Sequence, residues 1–125
     1  MKILGIDYGK KNIGLALYDT TVRVAIPFGI VPPSDIATVV RSEQVDHIII
    51  GLPLGLDGKE NDATVRVRKF GEELKQTTGC PVDYCDERFT SVAADRFDSG
   101  ISRDEKAAMV IVEEWVERNS AVLES

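Results

Sequence analysis

Histidine is almost absent: the 125 residues include one, His47. Cysteine is nearly as scarce, with only Cys80 and Cys85, no CxxC and no second pair. That spacing suggests neither a zinc site nor a disulfide framework, so two free thiols, buried or half-exposed, are expected. Long apolar runs are missing too. Nothing approaches the roughly 18–20 residues of a membrane span, and the opening lacks the basic-then-apolar order of a secretory signal. A cytoplasmic chain with no membrane partner is expected. Positive charge is also short: 15 Lys and Arg against 21 Asp and Glu give a net charge of −6 and a pI near 4.8. Such a surface has no bulk electrostatic grip on a polyanion. A local basic rim around an acidic centre is still allowed, because cations held there would supply positive charge themselves.

What remains is ordinary for a globular protein, 43% hydrophobic and 29% charged, and long enough for one core. Lys2 to Asp7, Ile13 to Tyr18 and Val22 to Ile30 read as three strands. A short turn at Asp19-Thr20-Thr21 makes the last two part of an antiparallel meander. Pro32-Pro33 breaks the chain, and Ser34 reads as the N-cap of a helix with Ile36, Val39 and Val40 at helical spacing. "VDHIIIGLP" is apolar on both faces, as suits a central strand covered by helices. After the glycine-rich "GLPLGLDGKEN", a helix is predicted from about Asn61 to Thr77, with the stripe Ala63, Val67, Phe70 and Leu74 and a stop at Gly79 and Pro81. "PVDYC" is a strand leading into "DER". A helix over about Thr90 to Ser99 follows, and a capping box of Ser102 and Glu105 opens the last helix, which buries Ala108, Ile111, Val112 and Trp115. The order is β-β-β-α-β-α-β-α-α: an α/β fold with a mixed five-stranded sheet and helices on both faces. One domain over 1–118 and a loose tail over 119–125 are expected.

Three carboxylates stand at places where a core has little use for them. Asp7 ends the first strand, Glu87 follows the strand "PVDYC", and Asp104 is the second residue of the last helix. If the first strand is central and the later ones run parallel to it, both strand tips reach one edge, where open α/β sheets bind ligands. Asp104 shares a helical face with Ala107, Ala108 and Ile111, so it lies on the stripe that packs on the sheet. Three carboxylates gathered there would repel and raise one or more pKa values, and a divalent cation removes the repulsion. An all-oxygen set favours Mg²⁺ or Mn²⁺ over zinc. Two ions about 3.5–4 Å apart can activate water and stabilise a leaving oxygen at a phosphodiester. Each acid also has a plainer reading. Asp7 can cap a turn, Glu87 can pair with Arg88 or a lysine, and Asp104 can simply favour a helix N-terminus.

The stretches "GIDYGKKNIGLAL", "IIIGLPLGLDG", "DERFTS" and "DEKAAMVIVEEW" resemble, in order and spacing, the YqgF family, over roughly residues 1 to 117. Its members are Holliday-junction-resolvase-like proteins, also called pre-16S ribosomal RNA nucleases, with the RNase H-like fold. The resemblance implies that Asp7, Glu87 and Asp104 are metal-binding catalytic acids using one or two Mg²⁺ or Mn²⁺ ions. It also implies hydrolysis of RNA phosphodiesters, with processing of the 5′ end of pre-16S ribosomal RNA, within pre-ribosomal particles or outside them, as the attributed role. Three departures stand out. Asn12 replaces the usual arginine, the stretch from Glu87 to Asp104 is short and keeps only Arg96 and Arg103, and Ala107 occupies the position of a fourth acid in related resolvases.

Around the acids, Lys10, Lys11 and Arg88 are candidate phosphate contacts, although a solvated turn suits the lysines equally. Gly51, Gly55 and Gly58 let a backbone approach closely or merely shape a turn. Arg66, Arg68 and Lys69 read as a solvated helix face, His47 as structural, and Trp115 as packing. Tyr8 points opposite to Asp7 and covers the sheet. Three other functions stay open. Asp7, Gly9 and Gly14 also fit the phosphate loop of actin-like ATP-binding folds, although those need two such domains. A catalytically idle nucleic-acid-binding module of ribosome assembly keeps the same fold. Cutting branched DNA needs paired sites in a homodimer, and the sequence is equally compatible with a monomer.

Overall fold

Ile3, Leu4 and Ile6, all fully buried, make the amino-terminal run the centre of the sheet. β1 (Lys2–Asp7) lies between an antiparallel neighbour, β2 (Ile13–Asp19), and a parallel one, β4 (His47–Leu52). With β3 (Val24–Val31) and β5 (Val82–Asp86), the strand order is β3-β2-β1-β4-β5. The computed structural model describes residues 1–9, 11–86 and 100–119. The helix expected over 90–99 lies outside the described residues, as does the expected tail from residue 120 onward.

Side-chain alternation divides the sheet into two faces. Leu4, Ile6, Leu15, Ile48 and Ile50 pack under α1 (Ile36–Ser42) and α2 (Asp62–Thr78). Ile3, Ala16, Ile49 and Cys85 pack under α3 (Arg103–Arg118), whose Ala108, Ile111 and Val112 are fully buried. Helices therefore cover both faces, and the described elements follow the expected order. No described helix is long and apolar enough to cross a membrane.

Local chemistry moved several boundaries. The Pro32-Pro33 pair presets the backbone for a single 3₁₀ turn, Pro33–Asp35, so Ser34 does not cap a helix and α1 starts at Ile36. The turn after β2 runs through Arg23, which adopts a positive φ of 62°, and β3 starts two residues later than expected, at Val24. α2 ends as predicted on Gly79, at φ 73°, and begins with Asn61 and Thr64 exchanging side-chain bonds with each other's backbone N–H. Its stripe is wider than the apolar residues alone. Gly71 lets the Tyr84 hydroxyl pack directly against the helix, and Thr64 is fully buried.

Thr64 also closes the glycine-rich loop. Its hydroxyl donates to the Pro53 carbonyl and accepts from the Asn61 N–H at 3.1 Å, joining entry and exit. Thr64→Val should therefore lower stability by about 1–3 kcal/mol in urea unfolding, since both backbone groups lose their partner.

Cys85 is buried, and burial, with the nearby Glu114 carboxylate, pushes its thiol from about 9 to about 11. The folded state holds that proton longer than the unfolded chain, so this contribution is lost as pH rises from about 9 through about 11. Brief iodoacetamide treatment at pH 8 should alkylate half-buried Cys80 well before Cys85, read by peptide mass spectrometry.

Candidate active site

β1 ends at the carboxyl edge it shares with its parallel partners β4 and β5, and Asp7 is its last residue. Alternation puts Asp7 on the same face as Ile3 and Gly5, under α3. Glycines set how near that helix comes. A Cβ on Gly5 would stand 2.6 Å from the Ala108 carbonyl oxygen and 2.9 Å from the Val112 Cβ. One on Gly14 would stand 2.3 Å from the Asp104 carbonyl oxygen and 2.7 Å from the Asp104 Cβ.

Those contacts fix the register of helix on sheet. Gly14 is the direct cross-strand partner of Asp7, with Cα atoms about 5 Å apart in such pairs. From Gly5 to Asp7 is about 6.6 Å along the strand, and from Ala108 back to Asp104 is about 6 Å along the helix. α3 therefore runs antiparallel to β1, and its first turn sits over Gly14 beside Asp7. The backbone of Asp104 is pressed on the sheet while its side chain opens to solvent. Asp7, by contrast, is half-buried. The first turn of α3 thus comes close to the strand beside Asp7, and that approach is set by glycines on the strands as much as by the helix alanines. Sequence reasoning passed over Gly5 and Gly14 in this role. Their signal was small residues alternating on one strand face, Gly14 and Ala16 in β2 beside Gly5 in β1.

Glu87, Lys10 and Arg88 lie outside the described residues. Asp86, the residue before Glu87, ends β5 at the same edge, paired in register with Leu52. Among the described residues no three His, Cys, Asp or Glu side chains gather to hold a metal ion. Lys11 is exposed in the turn that follows Asp7. That turn is tight: a Cβ on Gly9 would stand 2.4 Å from the Asn12 carbonyl oxygen.

The remaining residues sort readily. Tyr8 leaves on the opposite face and packs its ring 4.7 Å from that of Phe70, covering the sheet as expected. Gly55 and Gly58 shape a turn, with Gly55 N–H on the Lys59 carbonyl at 2.9 Å and Gly58 at φ 81°. Arg68 is engaged by Glu60 and lies 5.2 Å from the Tyr84 ring centre, whereas Arg66 and Lys69 are solvated. His47, at the opposite end of the sheet from Asp7, bonds Asp83 at 2.8 Å and packs with its ring tilted against half-buried Trp115, centroids 4.8 Å apart.

A mixed sheet in this order, with an acid at the tip of its central strand and another on the helix crossing that tip, is an RNase H-like fold. Solved structures agree on the architecture. Thermus thermophilus RuvC in complex with a Holliday junction substrate superposes with a TM-score of 0.68 at 12% identity, covering 94% of this chain and 96% of that one. The fowlpox virus Holliday junction resolvase gives 0.62 at 15%, covering 94% and 99%. Residues 1–118 match the model of the RuvX family, described as Holliday junction resolvase, and the chain belongs to that nuclease family, which is also the YqgF family. Among its relatives, a protein of Maridesulfovibrio salexigens named "Putative pre-16S rRNA nuclease" is 34% identical, over 94% of this chain and 99% of its own length. A namesake from Anaeromyxobacter is 35% identical, over 97% and 100%.

Proposed function

We propose that this chain is a metal-dependent endonuclease that hydrolyses phosphodiester bonds in RNA, acting on the 5′ end of pre-16S ribosomal RNA in the cytoplasm. The observation that carries the reading is the seating of Asp104 on Gly14, directly across from Asp7. The elements that carry these two acids, 97 residues apart in the chain, meet at one sheet edge, where open α/β sheets bind ligands.

The donor set fits a hard divalent ion. The acids that would hold Mg²⁺ or Mn²⁺ are Asp7 and Asp104, with Glu87 as the third; all offer carboxylate oxygens and no softer ligand. When bound, one or two such ions supply water activation and charge neutralisation at the scissile phosphate. The protein's own part is to fix two carboxylates on rigid elements, strand tip and helix start, so that little reorganisation accompanies reaction. Lys10, Lys11 and Arg88 are assigned to the flanking phosphates of the substrate, where their charges offset the acidity of the chain.

A second reading, cleavage of four-way DNA junctions, is supported by the description of the family and by the fold shared with RuvC. It uses the same chemistry but needs a homodimer with two sites.

The test is direct. Pre-16S RNA, single-stranded RNA and a four-way DNA junction are each incubated with Mg²⁺, Mn²⁺ or a chelator, using the natural chain and Asp104→Asn. Cleavage of the ribosomal precursor that needs metal and is lost in the variant is expected. Preferential junction cutting would favour the second reading, and binding without cutting in any metal would replace both with an idle RNA-binding module.

A further inference from the structure

Glu105, the neighbour of Asp104, was expected to close a capping box by bonding the Ser102 N–H. It does something else. Ser102 caps α3 with its hydroxyl accepting from the Glu105 N–H at 3.2 Å, but the Glu105 carboxylate turns outward. One of its oxygens accepts from the Ser102 hydroxyl at 2.7 Å, and the other accepts from the Gly29 N–H at 2.8 Å.

Gly29 is available because β3 is irregular there. Gly14 pairs with Ile30 and Ala16 with Pro27, so Phe28 and Gly29 together oppose the single residue Leu15. This is a two-against-one bulge, and Gly29 adopts φ 96°, which a side chain would resist. The bulge removes the Gly29 N–H from the ladder, and Glu105 takes it up from 76 residues away. The strand residue next to the bulge on the partner strand is Gly14, the one on which Asp104 rests.

We infer that Glu105 is a positioning residue for Asp104. Its carboxylate ties the first turn of α3 to the β3 bulge and so fixes where Asp104 stands beside Asp7. The inference rests on the assignment of Asp104 as a metal-holding acid. The geometry leaves two routes for the first turn to shift on the sheet. Sliding along the strands is opposed by Gly14 beneath Asp104, and rolling about the helix axis is opposed by the Glu105–Gly29 bond to one side. The carboxylate adds a polar tie at the side of the first turn to the packing of Ala108, Ile111 and Val112 further along the helix. Glu105 bonds the framework that carries Asp104 and not its carboxylate, so it stands one step further from the metal than the direct partners whose loss typically costs about 10–100-fold in affinity.

Three variants test it: Glu105→Ala, Glu105→Asp, one methylene too short to span the gap, and Glu105→Gln, which can still accept from Gly29 and donate to Ser102. Mn²⁺ affinity is measured by calorimetry, counting only the uptake lost in Asp104→Asn, alongside hydrogen exchange of the Gly29 amide. Glu105→Ala and Glu105→Asp should bind Mn²⁺ several-fold more weakly, short of the about 10–100-fold lost when a ligand's own partner is cut, with a faster-exchanging Gly29, and Glu105→Gln should restore both. Mn²⁺ affinity unchanged in Glu105→Ala, or no recovery in Glu105→Gln, overturns the inference and leaves the nuclease reading standing. Unfolding of both short variants while Glu105→Gln stays native assigns Glu105 a role in stability alone, and also overturns it. Absence of Asp104-dependent Mn²⁺ uptake in the natural chain removes the metal assignment, and this inference with it.

Discussion

Asp7→Asn is expected to reduce metal-dependent RNA cleavage by at least about three powers of ten, the equivalent of roughly 4 kcal/mol of lost transition-state stabilisation. Asparagine keeps the size and the strand position but replaces a charged oxygen by an amide, so a cation loses a ligand without a cavity opening. Stability should change little, because the near-isosteric amide leaves the packing at the strand tip unchanged. Initial rates at saturating RNA and urea unfolding on the same preparations separate the two quantities. Undiminished cleavage in a well-folded variant would show that the strand tip is not where the chemistry occurs.

Gly14→Ala should damage the same site without touching a carboxylate. The added methyl would meet backbone atoms of Asp104, 2.3 Å from the oxygen and 2.4 Å from the carbonyl carbon, and backbone cannot rotate aside as a side chain would. The first turn of α3 must lift, at a cost of about 1–3 kcal/mol in stability. Since a displacement on the order of 1 Å at a reacting centre can cost about 10²-fold in rate, cleavage should fall by at least that factor in molecules that remain folded. Gly5→Ala is the comparison. It meets Ala108 and Val112 at 2.6 and 2.9 Å, one turn further along the same helix, so its stability cost should be similar and its rate loss smaller. Equal rate losses in the two variants would argue that general loosening of α3, not the placement of Asp104, governs activity.

Legibility in the sequence followed the range of the forces involved. β1, β2, β4, α2 and α3 were readable because apolar periodicity is a local signal, repeated within each element. The run apolar on both faces marked β4 as a covered strand, whereas the central place of β1 and the edge it shares with β4 and β5 entered only as a condition that the pairing now supplies. Asp7 and Asp104 were visible as charges interrupting such patterns. What stayed hidden depends on partners distant in the chain. Glycine in a strand reads alike whether it marks a turn, a bulge or a close contact, and only the arrival of α3 assigns Gly5 and Gly14 to the last of these. Ser102 and Glu105 had the spacing of a capping box, yet the carboxylate found a better donor at Gly29, freed by a bulge with no local signature. Ser34 failed as a cap for a local reason that was underweighted: two successive prolines had already dictated the turn.

The chain order of the two acids has a temporal consequence. A ribosome makes residue 7 well before residue 104, and the β1-β2-β3 meander pairs neighbouring segments that are all made before α3. A nascent chain can thus own a folded hairpin and still lack half of its carboxylate pair. The chain therefore holds both acids at this edge only once α3 has docked across the sheet.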